Sequence, residues 1–489
     1  MKQNINESVF RRIFSITMYK NRKICLGEMS FSKDFVTTDR GDLYPVVERM
    51  EQCIERVRQN CYAVQGGVER IIGAFFPYAT YEMKLQDLSG ECGFVFSLAG
   101  AKVYVFISGT KDTTDICIRC GQAERRHICS IPDITSLIVS CRPGAFDIYR
   151  AIGEGSEYIT SFECPEFACS DLYELFSKAT AGIYVNGAAK ITRVKSYLDC
   201  GISQADIRPI RYENGEIMIE NGKIYLTMSV RLEERMYQGV FSWIPGTAEL
   251  EMTGALFYDS GNGRWGYDVA ASVLYHRRDR CWYLWVCSFS NGHILGHTVC
   301  EGDIRFGINV VDIELMPKTD ADADISVFAG MEGDEDPDFF FDEEKGKWYM
   351  AICRVDKAIN NYRYVFFESD KPFEGYRYIG KGYDGAETGG SFVKIDKEQY
   401  FICGNSFKEK SDYRIYSKEG MTKAVFDYPD GGFRGWGTLM PVKLGSRTRY
   451  FWMTFDRHNG SAYNWSYGNV YCFELSSYGL NSKNAEQRV

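Results

Sequence analysis

A strand-turn-strand unit followed by an aromatic pair recurs five times between about Ile202 and Leu475, and no other property of the chain narrows its fold as much. It reads Ile217-Met218-Ile219-Glu220-Asn221-Gly222-Lys223-Ile224-Tyr225-Leu226, then Val273-Leu274-Tyr275 with Cys281-Trp282-Tyr283-Leu284, and again around Tyr349, Tyr400 and Tyr450. The aligned Tyr residues stand 58, 66, 51 and 50 positions apart. One such unit cannot bury its own apolar face, so units of about fifty residues must stack on one another. Five of them predict a β-propeller, whose four-stranded blades surround a central channel. The competing reading is a second β-sandwich with coincidental similarity.

At 489 residues the chain exceeds one ordinary core, so two or three domains are expected. With 33 Tyr, 32 Phe and 47 Gly against 12 Pro, the composition favours strands and tight turns over helical bundles, and the fold class is read as all-β. Gly93–Leu98, Lys102–Ile107 and Asp115–Arg119 are regularly spaced strands of the kind that build a β-sandwich. Val46, Val47, Met50, Cys53, Ile54 and Val57 recur at helical spacing, which predicts a short amphipathic helix near Tyr44 to Cys61. The expected organisation is an N-terminal extension with that helix (1–67), a sandwich (68–201), a five-bladed propeller (202–476) and a C-terminal tail (477–489).

The net charge of -9 supplies no basic surface for a phosphate backbone, so nucleic acid is not an expected partner. Between Met1 and Leu26 the apolar residues are interrupted by Arg11, Arg12, Lys20, Arg22 and Lys23, so no run reaches signal-peptide or membrane-span length. The expectation is a soluble, cytoplasmic protein with no membrane partner, and a homo-oligomer is compatible with the sequence. The 17 Cys are odd in number, and several, such as Cys281, Cys287, Cys353 and Cys403, sit in apolar strand-like runs. They are read as buried free thiols. No Cys pair has metal-ligand spacing with a His nearby, so no metal and no cofactor are expected. Asp320, Asp322 and Asp324 alternate like the start of a calcium loop but lack its Gly and closing Glu, and are read as a solvated loop.

In a propeller the innermost strand of each blade lines the channel, so residues at its start converge at one mouth. Asp336 lies thirteen residues before Tyr349 and Glu387 thirteen before Tyr400, while Asp268 lies fifteen before Tyr283 and Asp206 nineteen before Tyr225. Four blades can therefore bring a carboxyl group to one mouth. Glycosidic bonds are hydrolysed by such groups: one carboxylic acid protonates the leaving oxygen, and one carboxylate activates water or attacks the sugar. Neighbouring negative charge raises the pKa of the member that must stay protonated. Taken singly, each acid could equally cap a turn.

The segment Glu335-Asp336-Pro337-Asp338-Phe339-Phe340-Phe341-Asp342 with Gly346-Lys347-Trp348-Tyr349-Met350 resembles the third-blade motif of glycoside hydrolase family 43 and related five-bladed furanosidases. Glu387 with Gly389, Phe392 and Tyr400-Phe401 is similar to their fourth-blade motif, and Ala205-Asp206 with Pro209 to their first. The resemblance implies Asp206 as general base, Asp336 as the residue that tunes and orients, Glu387 as general acid, and inversion at the anomeric carbon. Here Ile207-Arg208 separate Asp206 from Pro209, and whether Asp206 or Asp268 completes the set stays open. Ala181–Gly187 with Ala189–Val194 resembles the closing strands of concanavalin-type jelly rolls.

Arg208, Trp265, Asp268, Arg434, Trp436 and His458 sit near predicted strand ends, where aromatic faces and guanidinium forks could hold sugar rings and hydroxyls. Ordinary packing explains each of them as well. Trp436 stands where the other units carry an acid, which suits a stacking platform. The leading expectation is an enzyme cleaving arabinofuranoside, xyloside or fructofuranoside bonds in short oligosaccharides or glycosides. Two alternatives compete with it: a propeller phosphorylase using Arg434, Arg457 and His458 as an anion site, and a carbohydrate-binding protein without catalysis.

Overall fold

The computed structural model describes residues 10–16, 23–25 and, with short breaks, 64–475; residues 317–330, 406–411, 426–433 and 458–466 are among those it does not describe. The expected helix near 44–61 lies outside the described residues. The chain divides into two compact units, one holding Phe10–Ile16 and the strands from Ser203 onward, the other the strands from Lys23 to Asp199. Among the described residues no helix is long and apolar enough to cross a membrane.

The first unit is a five-bladed β-propeller. Its innermost strands are Ser203–Pro209, Val269–His276, Met331–Asp342, Glu387–Ile395 and Thr438–Leu444, each followed outward by antiparallel neighbours. The repeated Tyr residues lie on the second strand of every blade. Leu274, Phe340, Val393 and Pro441 face Tyr283, Tyr349, Tyr400 and Tyr450 across the ladder, and Ile210 donates its amide to the Tyr225 carbonyl. Blade five departs from simple sequence order. Its fourth strand is Phe10–Ile16, which pairs antiparallel with Tyr467–Leu475 and so joins the two ends of the ring within one sheet.

Blades adhere through aromatic seams. Trp285, Phe339, Trp348, Phe367 and Tyr376 fill the space between blades two and three. Cys353, Tyr364, Phe401, Cys403 and Tyr416 do so between three and four, and Tyr413, Leu439, Trp452 and Phe473 between four and five. Blade five meets blade one where Trp243 packs edge-on against Phe451 at 5.2 Å. Large flat side chains standing on a pleated surface bury much area per residue, which is why this aromatic-rich chain suits blade stacking.

A shared irregularity in the innermost strands shapes the channel. Strand pairing shifts between Ala205 and Arg208, Val269 and Ser272, Glu335 and Asp338, and Thr388 and Ser391, always with two residues opposite one. The first extra residue is left-handed every time: Asp206 (φ 51°), Ala270 (φ 59°), Asp336 (φ 48°) and Gly389 (φ 59°). Each of these stands four residues before the one that faces, or bonds to, the blade's Tyr. Such a bulge bends the strand and re-aims side chains, and Asp is among the few L-residues that tolerate the left-handed region.

In the second unit, eleven strands form one hydrogen-bonded sheet. Thr80–Leu98 and Thr180–Asp199 pair along almost their whole length and run through both halves of it. The strands anticipated at 93–98, 102–107 and 115–119 are all present, and they belong to one continuous hydrogen-bonded sheet. Twelve described cysteines are free thiols, Cys281, Cys287, Cys353 and Cys403 among them.

Candidate active site

The four bulges set which acids meet. Asp206 and Asp336 occupy the same bulge position in blades one and three, where blades two and four carry Ala270 and Gly389. Asp268 and Glu387 stand two residues earlier on their strands. The equal thirteen-residue spacing of Asp336 and Glu387 thus combines different strand positions with different hairpin lengths: Phe340 and Tyr349 are nine apart, Val393 and Tyr400 seven.

Asp206 and Asp336 are both 6% exposed. Asp206 Oδ2 accepts from the Ser229 hydroxyl at 2.5 Å and Oδ1 from Trp436 Nε1 at 2.8 Å. Asp336 Oδ2 accepts from the Thr388 hydroxyl and the Gly389 amide, each at 3.0 Å. Trp436 and Gly389 touch, since a Cβ on Gly389 would fall 1.7 Å from Trp436 Cδ1. The groups holding the two carboxyls therefore form one wall, and only glycine satisfies both the contact and the left-handed backbone there.

Arg208, 3% exposed, ties the bulges together: its Nη1 donates to the Ala270 carbonyl at 2.8 Å and to the Pro337 carbonyl at 2.7 Å. Its Nη2 lies 4.0 Å from Asp336 Oδ1 and makes no hydrogen bond. Burial drives the Asp336 carboxyl up to about 7, helped by the negative charge of Asp206 and opposed by Arg208. At neutral pH this acid holds its proton about half the time, the state required of a proton donor.

Glu387 is held by a different set of donors. It is 0% exposed, its Oε2 accepts the Tyr364 amide at 2.9 Å and its Oε1 accepts the Tyr416 hydroxyl. Burial raises its pKa, and the bond from Tyr416 works against that rise. Asp268 is likewise occupied. Its carboxyl takes the Ser288 hydroxyl at 2.8 Å and the Ser290 amide at 2.9 Å, capping the turn that follows its partner strand. Burial raises its pKa too.

Among the remaining candidates, Trp436 is buried as a donor to Asp206 and packs edge-on against Phe455, a different role from the stacking platform anticipated. Arg434 stacks over the Tyr471 ring at 4.0 Å. Trp265, His458, Asp320, Asp322 and Asp324 lie outside the described residues. Ser229, Thr388, Gly389, Tyr364 and Tyr416 were not anticipated as site residues. Only the Gly389-Gly390 pair carried a local signal, a double glycine inside a strand, which marks a bulge or a close approach.

No family model matches the chain, and no curated protein matches it. Solved structures similar to part of it include a glycoside hydrolase family 43 β-1,3-galactosidase bound to galactodeoxynojirimycin, at 12% identity and TM-score 0.38, covering 55% of this chain and 93% of that one. Bacillus subtilis levansucrase follows at 13% identity and TM-score 0.39, over 56% and 86% of the two chains. The catalytic domain of the Coprinopsis cinerea family 62 α-L-arabinofuranosidase has 13% identity and TM-score 0.35, over 56% and 91%. At these values the activities belong to those proteins.

Proposed function

We propose that the chain is a glycoside hydrolase acting on short oligosaccharides or glycosides of arabinofuranoside, xyloside or fructofuranoside type. The observation that carries this reading is the buried Asp206–Asp336 pair, one carboxyl raised to about 7 beside another acid, in the channel of a five-bladed propeller. Protonated Asp336 gives its proton to the glycosidic oxygen as the carbon–oxygen bond breaks. Ionised Asp206 takes a proton from the water that attacks the anomeric carbon from the other face, so configuration inverts. Solvent then returns the proton to Asp336 and removes the one on Asp206. The Arg208 Nη2 protons, buried without a hydrogen bond, suit a substrate hydroxyl or the developing charge on the leaving oxygen. The acid role goes to Asp336 for its charged neighbour Asp206; Glu387, also raised by burial, is the alternative donor that the variants below distinguish.

The test is a panel of aryl furanosides, xylosides and natural oligosaccharides, with and without inorganic phosphate, with product anomers followed by NMR. Phosphate-independent turnover with inversion is expected. Asp206→Asn and Asp336→Asn should each lower kcat by at least ~100-fold, the scale of one general acid or base, while Glu387→Gln keeps most of it. Loss in Glu387→Gln with retention in Asp336→Asn would exchange their roles. Sugar binding without turnover of any substrate would leave a carbohydrate-binding protein instead.

A further inference from the structure

The eleven-stranded unit brings together three metal-ligating side chains that are distant in sequence. Cys120 ends the strand Thr113–Cys120 at a two-residue turn, where Gly121 takes a φ of 58° before Ala123 begins the return strand. Cys164 precedes the single 3₁₀ turn Pro165–Phe167, which carries Glu166. The two Sγ atoms and a Glu166 carboxylate oxygen lie within 4.8 Å of one another, and Cys164 Sγ is 3.4 Å from Glu166 Oε2. A tetrahedral ion with bonds of about 2.3 Å to sulfur and about 2.0 Å to oxygen holds neighbouring ligands roughly 3.5–3.8 Å apart. The Cys164–Glu166 separation thus matches one edge of such a tetrahedron, and no pair of the three stands farther apart than 4.8 Å.

We infer that Cys120, Cys164 and Glu166 form a binding site for a thiophilic divalent cation of the zinc type, with solvent in the fourth position. Two soft sulfurs and one carboxylate select zinc-like ions over magnesium or calcium, which take oxygen shells. Cys164 is fully buried, Cys120 half-buried and Glu166 exposed, so the site has an anchored side and an open side through which an ion and a water can reach it. Binding breaks two S–H bonds, forms two metal–sulfur bonds and releases two protons to buffer. Both thiols must give up their protons to bind the ion, so affinity rises with pH. Two thiolates and a carboxylate exceed the ion's charge by one, and Arg125 is the cation whose field reaches Cys120 and Glu166.

The test uses the full chain, reduced and freed of metal by a chelator, titrated with Co(II) and then with Zn(II) against a chromophoric chelator. One equivalent of Co(II) should give a thiolate charge-transfer band in the near ultraviolet that Zn(II) abolishes. Cys120→Ser, which leaves one thiolate of two, should cut that band to about half and weaken Zn(II) binding by roughly 100-fold. Glu166→Gln, at an exposed position where folding is not at stake, should weaken binding while keeping the band. Either a parent protein without the band, or a band of undiminished intensity in Cys120→Ser, overturns the site.

Discussion

Replacing Asp336 by Asn should change how the stability of the propeller depends on pH, and the direction is opposite to that of most acid substitutions. In the native chain this carboxyl is raised from 3.8 to about 7, mainly by burial. Between those values the native state holds a proton that the unfolded chain has released, so stability is fully present in acid and falls as pH rises through 7. Three pH units at ~1.4 kcal/mol each make that loss about 4 kcal/mol. Asn stays neutral throughout. Its Oδ1 can still accept from Thr388 and Gly389, and its amide should cost about 1 kcal/mol for an imperfect fit near Arg208. Asp336→Asn is therefore expected to be slightly less stable than the parent near pH 4 and more stable by roughly 3 kcal/mol at pH 8. Seven of the eight Trp residues lie in the propeller unit, so Trp fluorescence during urea unfolding follows that unit in a chain whose two units need not unfold together. Taking the difference between variant and parent cancels the carboxylates that do not interact with Asp336, leaving Asp336 with its charged neighbours Asp206 and Glu335. A difference that stays flat from pH 4.5 to 8.5 would show that Asp336 ionises near its ordinary value, and the proton-donor role would go with it.

Gly389→Ala should cost at least ~2 kcal/mol and most of the activity, because the new methyl must displace the Trp436 indole on a left-handed backbone; a fully active variant with parental stability would contradict the wall described between the two carboxyls. Trp436→Phe keeps the ring but removes the donor to Asp206, and kcat should fall further than KM rises when both are measured on one aryl glycoside. Tyr416→Phe takes a donor from the buried Glu387 carboxyl, raising its pKa further, so the stability loss of ~1–3 kcal/mol should be greatest at alkaline pH and shrink in acid. An equal loss at both ends of the range would mean that Tyr416 acts by packing alone.

The propeller was legible because each blade repeats a Tyr on its second strand, whatever the length of the turn before it. The bulge was not legible. Asp206, Ala270, Asp336 and Gly389 share a backbone conformation but not one side-chain chemistry, so no pattern common to the four blades marks them. Counting back from the Tyr brought Asp336 and Glu387 into false register, since the hairpins of blades three and four differ by two residues. Strand pairing restores the register, and the acid matching Asp336 is then Asp206. Phe10–Ile16 is too short a run to announce itself, and its partner is a strand more than four hundred residues away. For the strands before Cys200, alternation marked each strand but not the long pairing of Thr80–Leu98 with Thr180–Asp199 that makes them one sheet.

That distant pairing has a consequence for biosynthesis. Phe10–Ile16 leaves the ribosome some four hundred and fifty residues before Tyr467–Leu475. At roughly 5–20 residues per second the wait is about 20 to 90 seconds. Throughout that interval the first strand has no native neighbour, and four blades can stack without closing a ring. Closure by two strands so far apart makes the synthesis of Tyr467–Leu475 the step that commits the whole propeller, so a nascent chain that stops before it is left with unpaired sheet edges of the kind chaperones guard. A circular permutant that makes Phe10–Ile16 follow Tyr467–Leu475 directly would remove the wait and turn a long-range closure into a local hairpin.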